Sequence, residues 1–200
     1  GAHCRQRQGN RDMPNQPKTG RRTPFTRALI ERIYECASIR RWNDQVCPVT
    51  FTELDKQAHK MVVAYVLARF EEDAGRPVDW IALIEGGIFE MLHRIVLTDI
   101  KPPVFHRMMR EKGDELNRWV LQTLEPAVRP VRGGFAERFC RHLEEASYAR
   151  PEKRLLKAAH FLATQWEFTI IYKMCPFVFG IDRIKAEIEG QIEDHYDLVG

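Results

Sequence analysis

Glu85-Gly-Gly-Ile-Phe-Glu90-Met-Leu-His93-Arg-Ile-Val-Leu-Thr-Asp99-Ile-Lys-Pro102-Pro103-Val104 is the stretch whose reading decides the fold. Apolar residues recur through it at helical spacing, with no alternation of period two, so it reads as a buried helix. Pro102 and Pro103 stop that helix. Glu90 and His93 stand three residues apart and therefore share a helix face. A glycine inside a helix costs about 1 kcal/mol relative to alanine. The pair Gly86-Gly87 thus implies either close approach of another helix or a local bulge.

Outward from this stretch the helical pattern continues almost everywhere. Pro24 suits a first turn, and Phe25 to Ala37 repeats apolar residues at helical spacing. A loop runs from Ile39 to Pro48. Thr50 followed by Glu53 reads as a capping box for a helix from Phe51 to about Phe70. Gly75-Arg76-Pro77 make a turn before the helix from Asp79 to Leu97. Pro102 and Pro103 open a fourth, through Met108 to Leu124, and Pro126, Pro130 and Gly133-Gly134 read as a linker. Helices are expected over Phe135–Ala146, Pro151–Tyr172 and Ile181–Tyr196. The expectation is an all-α bundle of six to seven helices in a single domain, residues 24–200, behind a flexible basic arm, residues 1–23.

Composition limits the function classes. The 200 residues carry 44% apolar side chains, enough for a core, and 31 Lys and Arg against 28 Asp and Glu, a net charge of +3. Interspersed charges of both signs give no specific nucleic-acid footprint outside the arm. The five cysteines are odd in number and include no C-x-x-C pair, so neither a disulfide framework nor a cysteine zinc site is signalled, and reduced thiols are expected. No apolar run approaches the ~20 residues that span a bilayer, and no signal-peptide core is present, which reads as a cytoplasmic protein without membrane contact. Phe177-Val178-Phe179 reads as a tucked loop in preference to a homodimer contact.

Chemistry-bearing residues are few. His59 and His160 lie inside apolar helical runs, where a lone inward histidine is ordinarily a hydrogen-bonded core residue. Glu90-x-x-His93 has the spacing by which helical bundles present a carboxylate and an imidazole to one metal. Convergence of His59, Glu90, His93 and His160 would make a metal site. Glu85 is a second carboxylate beside the pair, and Asp99 is either a turn cap or a substrate-facing acid. Arg40, Arg41 and Trp42 combine guanidinium groups with an aromatic face suited to a phosphate and a base. A P-loop, a dinucleotide glycine fingerprint, G-x-S-x-G and H-E-x-x-H are all absent.

The order of these pieces resembles the HD-domain phosphohydrolases, and within them the bacterial 5′-deoxynucleotidases. The resemblance is carried by Arg41-Trp42 after the first helix, His59 in the second, Leu97-Thr98-Asp99-Ile100-Lys-Pro-Pro103-Val104, and Leu155-Leu-Lys-Ala-Ala-His160 late in the chain. It implies a helical bundle around one divalent metal, held by a histidine, a His-Asp pair and a late aspartate. That metal activates water for attack on a nucleotide monophosphate. By position, His59 looks like the first histidine, Asp99 like the acid of the substrate-side turn, and Arg41 and Trp42 like phosphate and base contacts. The His-Asp dipeptide is replaced by Phe89-Glu90 or Glu90-Met91, and His160 stands at the late aspartate.

Two readings follow. In the first, the site is rebuilt as His59, Glu90, His93 and His160 around one divalent transition metal: zinc, manganese, iron, cobalt or nickel. The protein is then a metal-dependent phosphohydrolase acting on a nucleotide or other small phosphate ester. Asp99 or Glu85 would orient the water, Arg41 and Arg40 would neutralise phosphate, and Trp42 would pack on the base. In the second, the metal has been lost and an HD-like module binds a nucleotide or a protein partner. A two-iron oxygenase is a weaker third, since no second Glu-x-x-His pair is visible.

Overall fold

Thr26 opens the first helix. Its hydroxyl accepts from the Leu29 main-chain N–H and caps α1, Arg27–Glu35, which closes in a single 3₁₀ turn, Cys36–Ser38. In this computed structural model the described residues are 25–43, 46–98, 100–146 and 149–195. The expected arm and Asp99 lie outside them. Six further helices follow: α2 Glu53–Asp73, α3 Trp80–Val96, α4 Pro102–Val128, α5 Phe135–Glu144, α6 Pro151–Met174 and α7 Ile181–Glu193. Among the described residues the sole β pairing is an isolated bridge between Arg40 and Thr52. No described helix is long and apolar enough to cross a membrane.

Two local expectations are corrected. The capping box of α2 is Thr52 with Asp55, not Thr50 with Glu53: Thr52 accepts from the Asp55 N–H, and the Asp55 carboxylate accepts from the Thr52 N–H at 2.9 Å. Both spacings fit the sequence, but the Glu53 carboxylate is drawn inward to Arg41. Pro126 does not end α4, which runs on to Val128. The proline falls in the last turn, and Ala127 and Val128 beyond it are buried. α4 bends instead at Lys112, whose φ of −140° is not helical.

The core has three parts. Leu29, Leu92, Val120, Leu124, Phe135 and Phe139 join α1, α3, α4 and α5. Ala64, Ala68, Leu83, Leu155, Leu156 and Ala159 join the C-terminal half of α2 to α3 and α6. Phe51, Phe168, Ile171, Ile181 and Ile188 join the start of α2, the end of α6 and α7. Helix α3 therefore packs against both α2 and α6, and its two glycines permit that. A Cβ on Gly86 would lie 2.6 Å from Leu156 Cδ1, and one on Gly87 would collide with the Met61 sulfur.

Gly86→Ala should therefore destabilise, despite a helix-propensity gain of about 1 kcal/mol. Leu156 is fully buried and has nowhere to retreat. Overpacking of this kind costs about 1–3 kcal/mol, measurable as a lower urea midpoint. A midpoint at or above wild type would show that α6 yields.

Candidate functional site

α2 is inverted in its first half. Glu53, Lys56, Gln57 and Lys60 fall at helical spacing on the buried face, while Val62, Tyr65, Val66 and Phe70 are exposed. The buried stripe continues as Ala64, Leu67 and Ala68. The charges thus point at the junction of α2, α3 and α6.

Partners wait at that junction. Lys60, with no exposed surface, donates from Nζ to Glu90 Oε2 on α3 at 2.6 Å; the Glu90 side chain keeps 34% exposure along one edge. The Lys56 amine lies 3.0 and 3.1 Å from the two ring nitrogens of His160 on α6. Arg41, from the loop before α2, donates through Nε to both oxygens of Glu167 and through Nη1 to Glu53 at 3.0 Å. Trp42 Nε1 adds a 2.8 Å bond to Glu167. Trp42 also has a left-handed φ of 57°, a conformation that costs a non-glycine residue roughly 1–3 kcal/mol. Its indole bond and its packing on Phe168, 6.1 Å between ring centres, hold it there.

Ionisation follows from this packing. Burial alone would raise the Glu53 carboxyl, but Arg41, Lys56 and Arg94 outweigh it and hold it below its ordinary range. Glu90 is likewise pushed up by burial and brought below its usual range by Lys60. Burial, then the Arg41 charge, drives the Lys56 amine well down, and burial with Lys56 and Lys60 does the same to His160. Lys56 and His160 are thus both disfavoured as cations, whereas Lys60 and Glu90 form an ion pair.

The residues singled out from sequence go to different places. His59 turns to the side of α2 and meets Trp166 edge-on at 4.8 Å, with its buried Nδ1 unpaired. His93 faces α4, 3.2 Å from Asn117 Oδ1. Glu85 is clamped by the Arg138 fork at 2.5 and 2.6 Å. Arg40 is exposed and reaches Thr50. Arg41 and Trp42 belong to the buried network, held by carboxylates and not presented to a ligand. The expected quartet does not converge: among the described residues no group of three or more His, Cys, Asp or Glu side chains could hold a metal ion. Glu90 and His160 are near the place expected of ligands, but each already has a lysine amine. Glu53, Lys56, Lys60, Glu167 and Asn117 were missed. The signal for the first four was register: they continue the stripes of Ala64 and Ala163 as charges.

Beside the network, α2 and α3 leave a groove of about 450 Å³ lined by Leu54, Met61, Tyr65, Trp80, Ile84 and Ile88 among others. Gln57 sits at its wall, 7% exposed; its amide donates to Glu53, and its Oε1 has no partner. The wall is otherwise apolar, an arrangement common to ligand and partner sites.

Against known proteins, no family model matches the chain, and no curated protein matches it. By structure it is similar to an HD-domain phosphohydrolase from Listeria innocua, with a TM-score of 0.67 over 84% of this chain and 80% of that one, at 18% identity. The architecture is therefore the all-α fold of HD-domain proteins.

Removing one member of the Lys60–Glu90 pair should expose its electrostatics. Glu90→Leu strands an ammonium with no exposed surface and should cost about 3–5 kcal/mol. Lys60→Met leaves a carboxylate that still reaches water and should cost less, about 1–3 kcal/mol. The double variant should return to within about 1 kcal/mol of wild type. Urea titration of all four proteins checks this; additive losses would show that the two groups are not coupled.

Acid should loosen the same region. Burial, then Lys153, pushes His142 down to about 4, and burial also depresses His93. The unfolded chain takes up these protons near pH 6.5, so their contribution is complete above that and is lost as pH falls toward 4. His142 alone accounts for up to ~3 kcal/mol at about 1.4 kcal/mol per unit. The urea midpoint should fall between pH 7.5 and 5, and His142→Gln should flatten the slope. Equal slopes in both proteins would remove His142 as the cause.

Proposed function

We propose that this domain is an HD-fold module that has given up metal-dependent phosphate-ester hydrolysis and acts by binding. The observation that carries the reading is the Lys60 ammonium on Glu90, with the Lys56 amine on His160 beside it. A divalent cation there would need Glu90 released from its ion pair, the His160 lone pairs freed, and a fixed ammonium tolerated at close range. Like charges at such separations repel strongly where burial lowers the dielectric. The donor set also lacks the spare carboxylates that would outweigh the lysines, because Glu53 and Glu167 are engaged by Arg41. The residues present do not fit a divalent metal, and no hydrolytic step is assigned to one.

The structural neighbour is titled a phosphohydrolase, and its scaffold favours a small phosphate ester as the ancestral ligand. In this chain the guanidinium of Arg41, which a phosphate would require, is spent on two carboxylates. The accessible feature is the apolar groove between α2 and α3, and that favours an apolar partner over a nucleotide.

Elemental analysis after reconstitution with zinc, manganese, iron, cobalt and nickel tests this directly, together with phosphate release from mononucleotides. The expected result is less than about 0.1 metal per chain and no release above the blank, since a formed four-ligand site would retain its ion. About one metal per chain, with nucleotide hydrolysis abolished in Glu90→Gln, would falsify the reading.

A further inference from the structure

Phe177 and Phe179, in the connector between α6 and α7, are 98% and 100% exposed. The loop between them is not slack. Val178 packs against the cluster of Phe168, Ile171 and Ile181. The Val178 N–H donates to the Cys175 carbonyl, the Ile181 N–H donates to the Val178 carbonyl at 3.1 Å, and Gly180 takes the φ of +79° that turns the chain into α7. One inward valine thus fixes two outward phenylalanines, against the expectation of a tucked loop. The main-chain N–H groups of Phe177 and Phe179 donate to no described acceptor.

The α2–α3 groove is the complementary feature. Its rim carries Tyr65 and Ile84, 56% and 49% exposed. An occupant that brings apolar bulk takes this surface out of water. Met61 lines the groove and can adapt its shape to what enters.

We propose that the Phe177–Phe179 turn of one copy docks in the α2–α3 groove of a second copy. The chain itself supplies both a fixed, exposed aromatic knob and an apolar groove. The areas also agree. A buried phenylalanine contributes about 150–250 Å². Two per copy, repeated by a two-fold axis and matched by the groove surface they cover, give roughly 1,200–2,000 Å² in total, the range of stable specific interfaces. Preorganisation of the turn limits the ordering cost. The inference rests on the binding reading above and names its partner. A failure here would be seen in the state of association, whereas a failure of that reading would be seen in metal content and phosphate release.

Sedimentation velocity on the full chain, between 1 and 200 µM, tests it. A reversible dimer is expected. Phe179→Lys and Ile84→Glu each alter an exposed side chain and should each weaken dimerisation at least tenfold, with circular dichroism unchanged. Combined in one chain they place opposite charges across both contacts, so the double variant should associate more tightly than the product of the single effects allows. A monomer at every concentration, a dimer indifferent to either single change, or purely multiplicative effects would each overturn the proposal and leave the groove for an unrelated apolar ligand.

Discussion

The bundle depends on burying the Lys60 ammonium against the Glu90 carboxylate. Removing an ion from water costs several kcal/mol even after relaxation, and only close pairing with further hydrogen bonds offsets it. That requirement fixes the register of α2 on α3, because a shift of one residue on α2 would turn the amine away from Glu90. Arg41 does the same for the preceding loop, joining Glu53 on α2 to Glu167 on α6. The strained backbone of Trp42 persists because the Glu167 carboxylate holds the indole as well. From Ala64 onward α2 packs mainly by hydrocarbon, with one bond from Trp80 Nε1 to Glu72. Charge positions one half of the helix and apolar contact the other.

A fixed ammonium and a divalent metal solve the same problem at the centre of a helical bundle. Each supplies positive charge to carboxylates and imidazoles that project inward from separate helices. They differ in what else they allow. A metal with an open position can polarise a bound water. A primary ammonium with its protons engaged holds the helices together and offers no such position. In this chain the groups facing Glu90 and His160 are lysines. On the binding reading proposed above, they serve to hold the helices together. Lys56 stands at the limit of this arrangement: burial first, and then the Arg41 charge, disfavour its own charge, and its amine lies 3.0 Å from His160 Nδ1.

Much of the fold was legible in the sequence because most helices obey the usual rule. α3, α5, α6 and α7 fall within a few residues of their expected spans, and Gly86-Gly87 marks close helix approach as its cost implied. α2 was legible as a helix but not in its orientation. Val62 and Val63 pointed to an inward His59, yet Val62 is exposed and the inward face is Glu53, Lys56 and Lys60. Hydrophobicity predicts a buried face only when burial is driven by apolar area; here paired charges compete successfully for the interior. The Glu90–His93 spacing was read correctly as a shared face, but a helix face is wide enough for its edges to meet different neighbours. Glu90 meets α2, and His93 meets Asn117 on α4. No periodicity in a single helix reveals which neighbour each edge will have.

The inversion of α2 has a consequence on the outside. Each charge placed inward displaces an apolar side chain outward, so Val62, Tyr65, Val66 and Phe70 form a surface that the fold itself does not use. Scattered exposed apolar residues need no explanation, but a contiguous set beside a groove does. Solvation of that set opposes stability, and the penalty falls when a partner with apolar bulk covers the groove. The interior lysines and the exterior groove are therefore two results of one choice of register on α2: the register that turns Lys56 and Lys60 inward leaves Val62, Tyr65, Val66 and Phe70 at the surface.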